Sequence, residues 1–126
     1  MNNKEIGAAG EDAVCQALSK QGWRIVERNF RIRTAEVDII AYEEDTLCFI
    51  EVKTRLGTGF GLPCEAVTPA KQKKIIRAAE YYLAYHEIDA PVRFDVMEVY
   101  ATVRGGIFSV SRYNLIRGAF DAGERR

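Results

Sequence analysis

Apolar residues recur at helical spacing in two stretches of this chain. From Lys4 to Gln21 they return every three or four positions, which is typical of an amphipathic helix, and Gly22 supplies a stop. A second helix is predicted from the capping pair Thr68-Pro69 to about His86. Its apolar side is predicted to carry Gln72, Ile75, Ile76, Ala79, Leu83 and His86, and its polar side Lys73, Arg77 and Glu80.

Five other segments are predicted strands, because they are rich in β-branched and aromatic residues between turn signals. Alternation in the first strand puts Trp23, Ile25 and Glu27 on one face, and a polar turn at 43–45 makes the second and third strands a hairpin. The order α-β-β-β-α-β, which Ile107–Arg112 extends if it forms a further strand, predicts an α/β fold with a central mixed β-sheet flanked by helices. In chain order the strands are Trp23–Phe30, Glu36–Tyr42, Thr46–Thr54, Val92–Ala101 and, after Gly105-Gly106, Ile107–Arg112.

The length and charge pattern narrow the class of protein. A chain of 126 residues suits one domain, predicted over residues 1–121 with a flexible tail at 122–126. Glycines and a proline predict a mobile loop from Arg55 to Pro63. The 18 basic and 18 acidic residues cancel, yet the segments Lys20–Arg33 and Thr68–Arg77 are locally basic, as a polyanion-binding surface requires.

The three cysteines indicate a reduced protein. Cys15, Cys48 and Cys64 form no CxxC pair, which argues against a zinc knuckle, and each is predicted to be a small apolar filler. The sequence shows neither a signal-peptide core nor an apolar run of membrane-spanning length. We therefore expect a cytoplasmic protein without membrane contact.

Two adjacent strands carry charged residues inside otherwise apolar runs. Side chains alternate along a strand, so Glu36 and Asp38 share one face and Glu51 and Lys53 share another. If the hairpin aligns those faces, three carboxylates and an ammonium converge. Carboxylates held together repel one another, and burial makes their ionisation still less favourable.

A divalent cation would resolve that repulsion. Mg²⁺ or Mn²⁺ prefers a few carboxylates, waters and substrate phosphate as ligands, so Asp38 and Glu51 are the candidate metal ligands. Lys53 would orient the attacking water or stabilise charge on a phosphoryl oxygen. Glu36 is either a further ligand or a flanking surface residue. The competing interpretation of the Glu-Val-Lys strand is a solvated face with a cross-strand ion pair.

At this point the sequence resembles a known family. Asp38 followed by Glu51-Val52-Lys53 is similar to the PD-(D/E)xK nuclease signature, and nearly the whole chain resembles the small bacterial YraN-like family. Ala35 replaces the family's usual glycine and Val37 the signature's proline, which affects backbone geometry rather than ligand chemistry. The blocks that carry the resemblance are 7–13, 28–31, 36–41, 49–55, Lys71 with Lys74, 93–96 and Ala119-Phe120.

The resemblance implies a restriction-endonuclease-like core related to archaeal Holliday-junction resolvases. It adds Glu11, from the first helix, to the candidate catalytic and metal-binding residues Asp38 and Glu51. Without it, Glu11 would be interpreted as a surface glutamate favoured by the helix dipole. The expected cofactor is Mg²⁺ or Mn²⁺, and the expected reaction is hydrolysis of DNA phosphodiester bonds.

Several basic residues are candidate phosphate contacts, although each also fits a solvated surface. No base-reading motif is recognised, so recognition of DNA shape, such as branched or junction DNA, is expected by analogy with the resolvases. Tyr81, Tyr82 and Tyr85 either pack or stack on bases, and His86 is expected to end its helix. The candidate nucleic-acid contacts are Arg31, Arg33, Arg55, Lys71 and Lys74.

Two alternatives to an endonuclease follow from the same residues. The chain would be a non-catalytic nucleic-acid-binding or adaptor module on the nuclease fold, or an interaction protein whose partner completes the site. In the second case the loop from Leu56 to Pro63 would order on binding. Cutting two strands of a junction would also require a homodimer.

Overall fold

Two helices and five strands follow one another in the predicted order within residues 1–57 and 67–123, the ranges that the computed structural model describes. The order and the α/β class are confirmed, including the extra C-terminal strand. Residues 58–63 of the predicted loop, Cys64 and the tail residues 124–126 lie outside these ranges. The elements are α1 (Asn3–Lys20), β1 (Arg24–Ile32), β2 (Ala35–Glu43), β3 (Thr46–Leu56), α2 (Pro69–Tyr85), β4 (Val92–Arg104) and β5 (Ile107–Phe120).

Capping residues fix the ends of both helices. The Asn2 side chain accepts a hydrogen bond from the Glu5 backbone at 2.8 Å, and the Glu5 carboxylate accepts one from the Asn2 backbone at 2.9 Å. After α1, Gly22 adopts a φ of +94°, so the predicted stop is confirmed. Thr68 caps α2 through the Lys71 backbone. Neither described helix has the length and apolarity needed to cross a membrane.

The predicted apolar side of α2 was partly wrong at the C-terminal end of the helix. His86 is the C-cap of the helix, as expected for a helix-end residue, and it is exposed rather than part of the apolar side. The buried side includes instead Ala78 and Tyr82, neither of which was placed there from the sequence. A tyrosine at this position can bury its ring while its hydroxyl stays near the surface.

The five strands form one mixed sheet in the order β1-β2-β3-β4-β5. Strands β3 and β4 are parallel, and the other neighbouring pairs are antiparallel. A parallel pair needs a crossover connection, which contains α2. Alternate residues of β3 divide between two hydrophobic clusters: Leu47 and Phe49 pack with α2 residues, whereas Cys48 and Ile50 pack with α1 residues. The helices therefore cover opposite faces of the sheet.

The predictions for four strands need correction. An irregularity between Ile25 and Glu27 shifts the register of β1, so Glu27 does not share the face of Trp23. Instead its charge acts on Tyr82 of α2, whereas Arg28 pairs with Asp12 of α1. Strand β3 continues through Arg55 and Leu56, where a loop was predicted. Strand β5 extends to Phe120 rather than Arg112, and β4 to Arg104 rather than Ala101.

The sheet opens between β2 and β3. These strands pair from Glu43 opposite Thr46 only as far as Ile39 opposite Ile50. Beyond that point β2 continues alongside β1, and β3 continues alongside β4 as far as Leu56. This divergence, called the β2–β3 fork below, begins at the residues that follow Ile50 on β3 and precede Ile39 on β2.

Candidate functional site

Asp38 and Glu51 meet at the β2–β3 fork. The backbone N–H of Val52 donates a hydrogen bond of 2.8 Å to Oδ2 of Asp38, at a point where the β2–β3 ladder has ended. The Asp38 and Glu51 side chains lie close enough for the charge of Glu51 to raise the pKa of Asp38. Glu51 is buried, with 6% of its surface exposed. The fork thus holds two carboxyl groups side by side and fixes one of them to the backbone.

Burial and mutual repulsion change the acidity of this pair. Burial and the charge of Glu51 together raise the pKa of Asp38 to about 8, against the opposing effect of the hydrogen bond from Val52. The charge of Glu11 also raises this pKa. At neutral pH and without a cation, the Asp38–Glu51 pair therefore retains a proton.

Two lysines face Glu51. The ammonium groups of Lys53 and Lys71 lie 3.4 and 2.5 Å from the same oxygen, Oε2 of Glu51. Burial alone would lower the pKa of Lys71, but its hydrogen bond to Glu51 and the charges of Glu51 and Asp38 raise it overall. Lys53 comes from β3 and Lys71 from α2, so the helix and the sheet contribute positive charge to one carboxylate.

Glu11 approaches the fork because α1 packs closely on β3. A Cβ added at Gly10 would lie 2.0 Å from Oγ1 of Thr54, so only glycine permits this approach. Oε1 of Glu11 lies 4.0 Å from the guanidinium of Arg28. Burial raises the pKa of Glu11, Arg28 opposes the shift, and the charge of Glu36 adds to it. In the described part of the chain, no three acidic, histidine or cysteine side chains converge as a preformed metal cage.

A cleft of about 350 Å³ opens beside the carboxyl pair, between β2 and the first turns of α2. Asp38 and Glu51 line it, and Lys71 and Lys74 contribute from the helix. Glu36 also lines it and pairs with Arg31 across the strands at 3.0 Å. Glu36 therefore belongs to the wall of the cleft, and its ion pair is with Arg31 rather than with the site lysines.

A protein-family model described as "Uncharacterised protein family UPF0102" matches residues 10–99. This range contains the site residues Glu11, Asp38, Glu51, Lys53 and Lys71. The chain belongs to family UPF0102. It is 44% identical to a UPF0102 protein of Caldicellulosiruptor saccharolyticus over 121 residues, which cover 95% of this chain and 100% of that protein. A UPF0102 protein of Clostridioides difficile is 48% identical over 101 residues, covering 79% and 89% of the two chains.

The match confirms the predicted family. UPF0102 is the YraN family, a member of the restriction-endonuclease-like superfamily. The matched segment runs from Gly10, at the close approach of α1, to Val99 in the buried part of β4. It therefore spans the elements that assemble the β2–β3 fork in this UPF0102 protein.

The predicted nucleic-acid contacts fall in different surroundings. Lys74 is exposed on the cleft wall, and Lys71 is partly occupied by its ion pair with Glu51. Arg31 and Arg33 are exposed at the end of the β1–β2 hairpin. Nη2 of Arg55 is buried and has no hydrogen-bond partner within residues 1–57 and 67–123. Four of the five thus lie at or near the cleft surface.

Sequence reasoning missed a buried acid in β4. Asp95 is fully buried and accepts two hydrogen bonds from Arg93, at 2.8 and 3.0 Å, and one from the Gly118 backbone at 2.9 Å. Arg93 also donates to Glu43, which Arg117 of β5 contacts as well. This network ties β5 to the hairpin far from the fork. The signal was present, since an acid interrupts the apolar run of β4.

The described cysteines lie in the core, whereas the tyrosines of α2 differ in their burial. Cys48 is fully buried and Cys15 partly buried in the cluster under α1, so the filler prediction is confirmed for both. Burial raises the pKa of the Cys48 thiol to about 11, which keeps it protonated and inert. Tyr82 packs in the core, but Tyr81 and Tyr85 are exposed.

Proposed function

We propose that this UPF0102 protein is a divalent-metal-dependent endonuclease that hydrolyses DNA phosphodiester bonds. The observation that carries the proposal is the Asp38–Glu51 pair at the β2–β3 fork, with a lysine on either side and a cleft beside it. Two adjacent carboxyl groups at a partly buried position do not stabilise the fold by themselves, because burial and repulsion both disfavour their charge. Strongly shifted acids in a cleft are typical of functional sites.

The donor set fits Mg²⁺ or Mn²⁺. These ions take oxygen ligands and need only one or two carboxylates, with waters and substrate phosphate completing the shell. Asp38 and Glu51 would hold the ion, and Glu11 would contribute a third carboxylate from α1. A bound ion of this kind lowers the pKa of a water and stabilises charge on phosphoryl oxygens.

The lysines supply the remaining chemistry. The ammonium of Lys53, two residues beyond Glu51 on the same strand face, would orient the attacking water and offset charge that develops on the phosphoryl group. The ammonium of Lys71 pairs with Glu51 and lies on the cleft wall, and it would move to a substrate phosphate when one binds. Both roles use charges already fixed by the sheet and by α2.

The substrate class follows from the surface around the cleft. Lys74, Arg31 and Arg33 offer exposed cations for the phosphate backbone, and the two described helices show no element shaped for reading base edges. Recognition would therefore depend on DNA shape, which favours flapped or branched DNA over a particular sequence.

The test is cleavage of labelled single-stranded, duplex, flap and four-way-junction DNA with Mg²⁺, with Mn²⁺ or with EDTA. We expect metal-dependent cutting that falls by more than about 100-fold in Asp38→Asn, Glu51→Gln and Lys53→Met. Asp45→Asn is the matched control, because Asp45 is an exposed acid in the turn at the opposite end of the same hairpin. Binding of Mn²⁺, followed by its electron paramagnetic resonance signal, provides a readout that does not depend on activity.

Each outcome has a distinct meaning. Cutting that survives in the Asp38 and Glu51 variants would show that another site or a contaminant is responsible, and would refute the proposal. Salt-sensitive DNA binding without cutting, and without Mn²⁺ binding, would favour the non-catalytic adaptor. A preference for junctions or flaps would identify the substrate class.

A further inference from the structure

Two exposed tyrosine rings lie side by side outside the cleft, next to the partly buried ring of Phe30. Tyr81 and Tyr85 are 56% and 72% exposed, and their rings are parallel to within 7° at a centroid distance of 6.2 Å. Phe30 of β1, partly buried against the core, stacks on Tyr81 at a centroid distance of 6.4 Å. Large aromatic side chains are normally buried, so an ordered pair of exposed tyrosine rings is a feature that core packing does not explain.

The same helix flank leads from this pair of rings to the cleft. At 100° per residue, Lys74, Tyr81 and Tyr85 lie within about 40° of one another around α2. Lys74 and Lys71 line the cleft, and Tyr81 follows Lys71 by roughly 15 Å along the helix axis. That distance accommodates roughly four nucleotides at the stacked spacing of ~3.4 Å, and fewer in an extended strand.

The charge of the helix favours a polyanion on this flank. Between Pro69 and Tyr85, α2 carries four basic residues and one acid. The exposed cations Arg31 and Arg33 extend the basic surface on the β1–β2 side of the cleft. A row of ring faces beside a basic track is the arrangement with which proteins hold unpaired nucleotides, since every base can stack on an aromatic ring.

We propose that Tyr81 and Tyr85, with Phe30 stacked on Tyr81, form a stacking platform for unpaired nucleotides that adjoin the phosphate bound in the cleft. This inference rests on the proposed function and narrows its substrate to DNA with a single-stranded segment next to the cut. Phosphate contacts at Lys71 and Lys74 would hold the backbone, and the rings would hold the bases. Tyr82 takes no part, because its ring lies in the core between Phe30 and Phe49.

The test measures binding rather than cleavage. The probe is an oligothymidylate of about 12 nucleotides with one internal 2-aminopurine, mixed with the full chain in EDTA so that no metal chemistry occurs. Stacking of the probe base on a ring quenches its fluorescence. We expect Tyr81→Ala and Tyr85→Ala each to weaken binding by roughly 5- to 150-fold, and Tyr81→Phe and Tyr85→Phe to bind like the wild type.

Tyr113→Ala is the matched control. Tyr113 is also an exposed tyrosine, at 40%, but it lies on β5 and its hydroxyl contacts the Ala13 carbonyl of α1, on the other face of the sheet. Thermal unfolding of every variant shows whether the fold survives the change. Loss of binding in Tyr113→Ala to the same extent would overturn the platform.

The remaining outcomes separate this inference from the nuclease proposal. No binding of the probe by the wild type, or binding that depends on Lys74 but not on the tyrosines, overturns the platform whether or not the protein cuts DNA. Tyrosine variants that change the oligomeric state but not DNA affinity overturn it in favour of a protein interface. Tyrosine-dependent binding in a protein that cuts no DNA supports the platform and refutes the endonuclease.

Discussion

The pKa of Asp38 gives a prediction that needs neither metal nor substrate. A carboxyl group whose folded pKa is raised from 3.8 to about 8 holds a proton in the folded state that the unfolded chain has already lost. Stability falls with rising pH wherever the folded state binds more protons, so this group destabilises the fold progressively from about pH 4 to pH 8. The perturbation is Asp38→Asn, which replaces the acid with a neutral group of the same shape.

The pKa shift gives the expected size of the difference in the free energy of unfolding. One full proton corresponds to ~1.4 kcal/mol per pH unit, so about 2.7 kcal/mol separates the two proteins between pH 5 and pH 7 at the upper limit. Asp38 is only partly buried, and solvent screening lowers the expected difference to about 1–2.7 kcal/mol. The amide oxygen of Asn can still accept the hydrogen bond from Val52, and its NH₂ can donate to Glu51, so near pH 5 the two proteins should be similarly stable.

The assay is urea unfolding in EDTA at several pH values, followed by the fluorescence of Trp23, which is the only tryptophan and is buried. We expect the Asp38→Asn variant to be more stable than the wild type at pH 7, by an amount that shrinks toward pH 5. Asp45→Asn should show no pH-dependent difference, because Asp45 is exposed. A difference between Asp38→Asn and the wild type that is constant across this pH range would refute the reasoning, since it would mean that Asp38 titrates alike in the folded and unfolded states.

Two further perturbations probe contacts away from the carboxyl pair. Gly10→Ala should destabilise the fold by about 1–3 kcal/mol through overpacking, and adding Thr54→Ala should recover most of that loss in denaturant titration, because Oγ1 of Thr54 is the obstructing atom. Glu43→Gln should cost about 1–3 kcal/mol at neutral pH, since the hydrogen bonds from Arg117 and Arg93 lower the pKa of Glu43 to about 2. Because the folded pKa of Glu43 is lowered, the stability that its ionised form contributes is complete above its unfolded pKa and is lost as pH falls toward 2. The free energy of unfolding should therefore fall less steeply with acid in Glu43→Gln than in the wild type.

The spacing and alternation of apolar residues were sufficient to predict both helices and the order of the strands. They could not predict the shift of register in β1 between Ile25 and Glu27, because an extra residue in one strand is decided by the partner strand. They also ended β5 at Arg112, since residues 113–120 lack the regular apolar and polar alternation of a half-buried strand. That continuation is held by β4 pairing and by the contacts of Arg117 and Gly118.

The candidate site was only partly accessible from sequence. Strand alternation correctly placed Glu51 and Lys53 on one face, and their contact at 3.4 Å follows from it. The fork itself was not predicted, because the pattern of apolar residues does not say where a hairpin ladder ends. Lys71 was expected to reach toward a phosphate from the edge of α2, and its contact with Glu51 depends on a helix-to-sheet packing that local pattern does not specify. The proximity of Glu11 came from family resemblance alone.

The site depends on three tertiary contacts, each made by a different pair of elements. Gly10 against Thr54 brings α1 to β3, the Val52 backbone fixes Asp38 of β2, and Lys71 links α2 to Glu51. All three contacts are made within the chain itself. A fold that keeps two acids together at the opening of its sheet, at a cost that grows with pH, gives up stability at the position where the proposed metal site would gain two ligands. For this reason a loss of metal binding in Asp38→Asn, together with a gain in stability, would be the expected signature of function at the fork.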